Sequence, residues 1–204
     1  RVRSFGFRGE ALPSIAAIAR VTLLTRRSDR TVGTRLVVDA GKIIEVSDCG
    51  CPSGTTLLVE RIFDPVPVRK KFLKSEAAEL AACLDAVTRV VLPRRNVRVR
   101  VQADGRNVLN LPATREDLER LSLLMGDEAA RNLLPLSGAR AAAALTGYAS
   151  RTAFTRADTK QIFFYVNGRF VRDPLLQHAV MTAYRRLIEA RRYPACVLNL
   201  DLPP

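Results

Sequence analysis

Gly6-Phe7-Arg8-Gly9-Glu10-Ala11-Leu12 is the stretch on which the reading of this chain turns. Two glycines flank an arginine, and an apolar-periodic run follows at Leu12, Ile15, Ala16, Ile18 and Ala19. The pattern predicts a flexible loop feeding a helix, with Pro13 tolerated in the first turn. A helix start leaves backbone N–H groups unpartnered at the positive end of the helix dipole. Glycine lets the backbone bend closely around a ligand, so the combination is a candidate triphosphate cradle. On spacing alone, an ordinary loop with a glycine-softened helix start fits as well. No Gly-Lys-Ser/Thr ends the motif, so it is not a P-loop.

The heptapeptide resembles the ATP-lid motif of the MutL family of DNA mismatch repair proteins, ATPases of the GHKL class shared with gyrase, Hsp90 chaperones and histidine kinases. Further stretches resemble the family in the same order. Ser53 to Val59 is similar to its Gly-Thr strand, and Ile62 to Leu73 to its Leu-Phe-Tyr-Asn-Thr-Pro-Ala-Arg-Arg-Lys-Phe-Leu block. Phe164-Tyr165-Val166-Asn167-Gly168-Arg169-Phe170-Val171-Arg172-Asp173 resembles a signature of the following domain. The chain departs from the family at Asp64, Pro65 and Val66, where Tyr, Asn and Thr are usual, and at Pro174, where some relatives carry an arginine.

The resemblance implies an α+β chain: the C-terminal part of a GHKL (Bergerat-type) α/β sandwich over 1–113, then a βαβ-containing transducer domain over 114–204. It implies that Gly6, Phe7, Arg8, Gly9, Glu10, Ala11 and Leu12 present backbone N–H groups to ATP phosphates. Thr55 would help hold adenine through its hydroxyl and a bridging water, although a β-branched strand residue is its plain alternative. Arg169, Arg172, Arg185 and Arg186 would line a groove that binds DNA without sequence preference, through contacts that position a duplex but read no bases. The magnesium that accompanies ATP would be held by a residue outside this sequence. So would the general base and the lysine that reaches the γ-phosphate, which makes the chain read as an interior piece with no catalytic residue of its own. Other implications are an N-terminal homodimer formed on ATP binding, other mismatch repair proteins as partners, and a cytoplasmic, nucleoid-associated setting if bacterial.

Composition bounds the rest. Forty-eight per cent of the 204 residues are apolar, enough for a real core, and no run is long enough to cross a bilayer. Nothing resembles a signal peptide. Cys49, Cys51, Cys83 and Cys196 are too few for a disulfide framework in a chain of this length. Cys49 and Cys51 lack the second pair that a structural zinc site needs, and His178 is the single histidine, with no catalytic role assigned. A nucleophile elbow is absent, which excludes a serine-hydrolase reading. The formal net charge is +13, with 20 basic and 11 acidic residues up to Ala113 against 13 and 9 beyond it. That excess argues for an anionic partner, nucleic acid first, unless it reflects an arginine-rich genome.

β-Branched runs bounded by turn residues predict strands at 21–25, 34–39, 42–46 and 55–60, with a turn at Ala40-Gly41. A helix starts at Ser75, with an apolar stripe at Leu80, Cys83, Leu84, Val87 and Val91, and ends at Pro93. Val97 to Val101 alternates strictly, which puts Arg98 and Arg100 toward solvent or phosphate, and Asp104-Gly105 is a hairpin turn. Leu111-Pro112-Ala113 reads as a link, and Thr114 with Asp117 as a loose capping box for the next helix. Strands follow at 133–136, 142–149 and 161–166, then an Asn167-Gly168 turn, a helix from Pro174 to about Arg191 and a last strand at 195–200. Arg69-Lys70-Lys71 reads as a solvated helical turn with Phe72 and Leu73 in the core. Two other readings fit the sequence: another GHKL ATPase such as a topoisomerase subunit, and a non-enzymatic nucleic-acid-binding module.

Overall fold

A computed structural model describes residues 9–203 of the chain, so Gly6, Phe7 and Arg8 lie outside the described residues. These fall into two compact units, one ending at Glu76 and the other running from Ala77.

The first unit begins with a short helix, α1 (Ala11–Ala16), and four strands, β1 (Arg20–Arg26), β2 (Gly33–Asp39), β3 (Lys42–Cys49) and β4 (Gly54–Glu60). The strands pair antiparallel in the order β3-β2-β1-β4. Their runs of Val, Ile, Leu and Thr suit a pleated surface, and the tight turn Ala40-Gly41 has φ of 46° and 81°, the positive pair a two-residue hairpin needs. Registry stacks Leu57, Leu23, Leu36 and Val46 in one row across the four strands. Ala16 and Ala19 tie α1 to the β2–β3 turn, since Gly41 N–H donates to the Ala16 carbonyl and Ala40 N–H to that of Ala19. The one-turn helix α2 (Pro67–Lys70) follows, held by an ion pair from Lys70 to Asp64 at 2.7 Å. Phe72 and Leu73 are exposed rather than core, because a single turn of helix has no buried face to draw them in.

The second unit carries α3 (Glu76–Val91), the hairpin β5 (Val99–Ala103) and β6 (Arg106–Leu111), then α4 (Asp117–Met125) and α5 (Asp127–Asn132). Strands β7 (Leu133–Arg140), β8 (Ala143–Ser150), β9 (Ile162–Val166) and β10 (Arg169–Val171), helix α6 (Pro174–Tyr184) and β11 (Cys196–Asp201) complete it. Five strands form a mixed sheet in the order β10-β9-β11-β8-β7, with β11 parallel to β9 and the other pairs antiparallel. Parallel pairing needs a crossover, and α6 supplies it, which makes β9–α6–β11 the expected βαβ unit.

Phe163, Phe164 and Tyr165 are all buried in succession, the mark of a strand covered on both faces. Phe163 and Tyr165 join Leu92, Leu121, Met125, Ala129 and Phe154 on one side. Phe164 joins Cys196, Leu198, Leu176 and Val180 on the other. Along α3 the stripe holds at Leu80, Leu84, Val87 and Val91, but Cys83 faces solvent. The capping box does not form: α4 starts at Asp117, and the Thr114 hydroxyl donates to the carbonyls of Arg95 and Glu116 at 3.4 and 3.3 Å. Helix α6 stops at Tyr184, well short of Arg191. There the Tyr184 hydroxyl donates to the Ser150 carbonyl at 2.5 Å, and Tyr193 bridges to Arg156 before Pro194, so the chain must leave the helix to enter β11.

Candidate functional site

Gly9 and Glu10 lead into α1, and Gly9 has φ of +68°, a left-handed conformation that side chains with a Cβ adopt only under strain. Glu10 is the N-cap residue but its side chain makes no capping hydrogen bond, so the first-turn amides are left without a side-chain acceptor. Gly9, Glu10, Ala11 and Leu12 are all exposed. Exposed main-chain amides without a side-chain cap are of the kind that suit a phosphate group.

Thr55 stands at the start of β4, opposite Thr25, with the two hydroxyl oxygens 2.9 Å apart. Its side chain is exposed, and Thr25 also donates to the Gly54 carbonyl at 3.3 Å. Strand registry puts Thr55 at the Arg26 end of β1, whereas Ala16 and Ala19 meet the β2–β3 turn at the Arg20 end. Among the described residues, no hydrogen bond joins Thr55 to the segment 9–12. Around the sheet, Asp39 pairs with Arg20 at 3.4 Å and with Arg61, and Arg35 meets Glu45 at 2.6 Å. A hydrogen bond from Ser47, with Arg35 beside it, holds the Glu45 carboxyl below its ordinary range.

The basic residues sort by helix end. Asn167 and Gly168 have φ of 50° and 76° and close the β9–β10 hairpin as expected. Arg169 is half-buried on β10, and Arg172 is exposed, 3.9 Å from Asp85 of α3. Asp173 caps α6 by accepting from the Leu176 amide at 2.9 Å, with Pro174 in the first turn. Arg185 and Arg186 follow the last turn and are exposed. The helix between them is about 16 Å long at 1.5 Å per residue, so Arg172 and the Arg185–Arg186 pair mark its opposite ends. Beside Arg172 lies a cleft of about 770 Å³, bordered by Asp85, Arg89, Lys160, Phe170 and Gln177. Arg89 pairs with Asp85 and stacks 4.9 Å over the Phe170 ring, and the Tyr165 hydroxyl donates to the Arg89 carbonyl at 2.8 Å. Burial pushes the Tyr165 phenol well up, so it stays neutral and remains a donor.

One residue escapes sequence reasoning altogether. Arg120 of α4 is fully buried, and its Nη2 donates to the carbonyls of Arg94, Arg95 and Val97 at 3.3, 2.9 and 2.5 Å. Its position beside Leu121 on an otherwise amphipathic helix was the only available signal, and arginine is ordinarily read as solvated.

The family model described as "DNA mismatch repair protein, C-terminal domain" matches residues 121–204. A DNA mismatch repair protein MutL from Syntrophus aciditrophicus is 56% identical over all 204 residues, which make up 33% of that protein. The chain thus spans about a third of the length of the curated relatives it matches. Among solved structures, the N-terminal domain of a DNA repair protein superposes with a TM-score of 0.82 at 26% identity, over 99% of this chain and 66% of that one. The Aquifex aeolicus MutL ATPase domain complexed with ADP superposes with a TM-score of 0.75 at 25% identity, over 96% of this chain and 72% of that one. A Thermus thermophilus gyrase B ATPase domain, at 15% identity and a TM-score of 0.51, shares the fold alone. The α+β fold is therefore of the GHKL type, and the second unit contains a βαβ motif. Over its whole length the chain is similar to DNA mismatch repair proteins of the MutL family.

Proposed function

We propose that this chain is the lid-bearing and transducer part of a MutL-type protein, an ATP-binding and ATP-hydrolysing dimeric clamp. The clamp binds DNA and couples mismatch recognition to downstream repair. The observation that carries the reading is the 56% identity, over the full 204 residues, to a protein named for mismatch repair. The likeness to gyrase B extends to fold only, which disfavours the topoisomerase rival.

ATP fits the residues present in part. The exposed, uncapped amides at Gly9–Leu12 suit the phosphates, joined by Gly6, Phe7 and Arg8. Thr55 brings one exposed hydroxyl for the adenine end. When bound, ATP supplies a phosphoanhydride whose cleavage can reset the clamp. The residues of this chain bind and orient it; the general base, the magnesium ligand and the γ-phosphate lysine belong to other parts of the protein. The 204 residues by themselves are accordingly expected to show no turnover. Arg169, Arg172, Arg185 and Arg186 contact DNA phosphates. Homodimerisation through the N-terminal region, other mismatch repair proteins as partners and a cytoplasmic location complete the assignment. The division of the family's domains at 113/114 is part of this proposal; the two compact units of the structure divide at Glu76/Ala77.

The test is nucleotide affinity of the full-length protein. At Gly9 a Cβ would meet nothing within 4 Å, so a substitution acts through the backbone conformation rather than a clash. Gly9→Val is expected to weaken ATP-analogue binding about tenfold or more, since forced positive φ costs about 1–3 kcal/mol. Glu10→Gln should stay within about threefold, as its role is main-chain. Equal losses from the two variants contradict a main-chain cradle.

A further inference from the structure

The hairpin β5–β6 separates its side chains into two unlike faces. Its turn, Asp104-Gly105, has φ of 50° and 75°, and the strands pair Val99 with Leu111 and Val101 with Leu109 on one face. That face is half-buried or buried, ending in Leu111 at 1% exposure. The other face pairs Arg100 with Asn110 and Gln102 with Asn107, and Arg98 directly precedes the strand. All five of these side chains are exposed, and Gln102 Nε2 donates to Asn107 Oδ1 at 3.0 Å.

Two features distinguish this face from an ordinary solvated strand. Neighbouring arginines are neutralised: Arg95 pairs with Asp117 at 2.8 Å, and Arg89 with Asp85. Arg98 and Arg100 make no ion pair with any described residue. The single carboxylate of the hairpin, Asp104, sits at its tip. The root of the hairpin is also fixed. Buried Arg120 donates to the carbonyls of Arg94, Arg95 and Val97, the residues just before Arg98, and the Thr114 amide donates to Arg95 at 2.7 Å. Arg98 and Arg100 thus stand two residues apart, a backbone rise of about 6.6–6.8 Å where the chain is extended, on a ribbon whose base is pinned.

We propose that the polar face of the β5–β6 hairpin is a nucleic-acid contact surface, separate from the arginines around Asn167-Gly168. It takes the phosphate backbone of duplex DNA through Arg98 and Arg100, with Gln102, Asn107 and Asn110 as neutral hydrogen-bonding partners along the ribbon. Guanidinium forks match phosphate geometry, and carboxamides can serve phosphate, sugar or base edge alike. A two-stranded ribbon also fits the width of a major groove. An acidic protein is the less suitable occupant, because protein interfaces centre on apolar and aromatic anchors and the hairpin exposes no aromatic side chain and, in β6, one valine, Val108. The inference rests on the reading of the protein as one that binds DNA.

The experiment compares the full-length protein with its Arg98→Gln/Arg100→Gln variant, titrated on a duplex of arbitrary sequence at several salt concentrations. The expected result is an affinity loss of about tenfold or more near 0.1 M salt. The log–log salt slope should fall by about 2, since each lost phosphate contact removes about 0.9. ATP-analogue affinity and the melting temperature should be unchanged. An Arg185→Gln/Arg186→Gln variant is measured in parallel, and combining the two pairs should lower the slope further. A wild-type slope in the Arg98/Arg100 variant overturns this surface while leaving the family reading intact. Lost binding to polyglutamate with DNA binding retained overturns it in favour of an acidic protein. A wild-type protein that binds no DNA at all overturns the functional reading as well.

Discussion

Cys196 shows how much one buried atom can report. It lies at the start of β11 with no exposure, packed beside Phe164 and Leu198, and burial pushes its thiol up to about 12 from an ordinary 9.0. A thiol raised on folding contributes stability that is complete below the unfolded value and lost as pH climbs toward the folded one. Between pH 9 and 11 the protein should therefore lose on the order of 1–3 kcal/mol of stability to this group. Cys196→Ala should flatten that decline in urea titrations, even though it costs some stability at neutral pH. Native-state alkylation should modify Cys83, which faces solvent, and reach Cys196 only after unfolding. The sequence placed Cys83 in a stripe with Leu80 and Leu84, and helical spacing alone gave no reason to exclude it. What excludes it is the orientation of α3, whose inward face runs through Leu84, Val87 and Val91 instead.

At the scale of elements, two-residue turns were the most legible features. Ala40-Gly41, Asp104-Gly105 and Asn167-Gly168 all take paired positive φ, a requirement local enough to be written in two residues. Glycine 147 is different, because no turn calls for it. It sits within β8 at φ of +142°, and a Cβ there would overlap the Val197 carbonyl of the neighbouring strand β11. Gly147→Ala is predicted to destabilise the protein by about 3 kcal/mol or more, through backbone strain and forced separation of two central strands. A shift in the urea midpoint measures it, and a variant within 0.5 kcal/mol of the parent, the range of an ordinary surface change, would refute the close approach. The end of α6 was equally invisible. Helical periodicity continues past Tyr184, but the tyrosine's hydrogen bond to Ser150 and the need to reach β11 end the helix there.

Taken as a whole molecule, the chain carries 33 basic against 20 acidic residues, and much of that excess lies on exposed arginines. DNA binding by the full-length protein should therefore weaken by about a thousandfold or more between 50 and 200 mM salt if six or more phosphates are contacted. A duplex-binding titration across that range checks it, and a flat salt response would count against a phosphate-directed surface. The family resemblance was legible in the sequence, because the Gly6–Leu12 heptapeptide, the Gly-Thr strand and the Asn-Gly-Arg signature each depend on a few contiguous residues in a stated order. Also legible were the strands, whose β-branched runs and flanking turns are local, and Gly9, whose φ is a property of one residue. Only the tertiary structure could decide which side chains meet. It set Arg172 and Arg185 at opposite ends of α6, engaged the Thr55 hydroxyl with that of Thr25, and buried Arg120 beneath the root of a hairpin. Such pairings join residues far apart in the chain, and their energies depend on burial and distance, which no local pattern encodes.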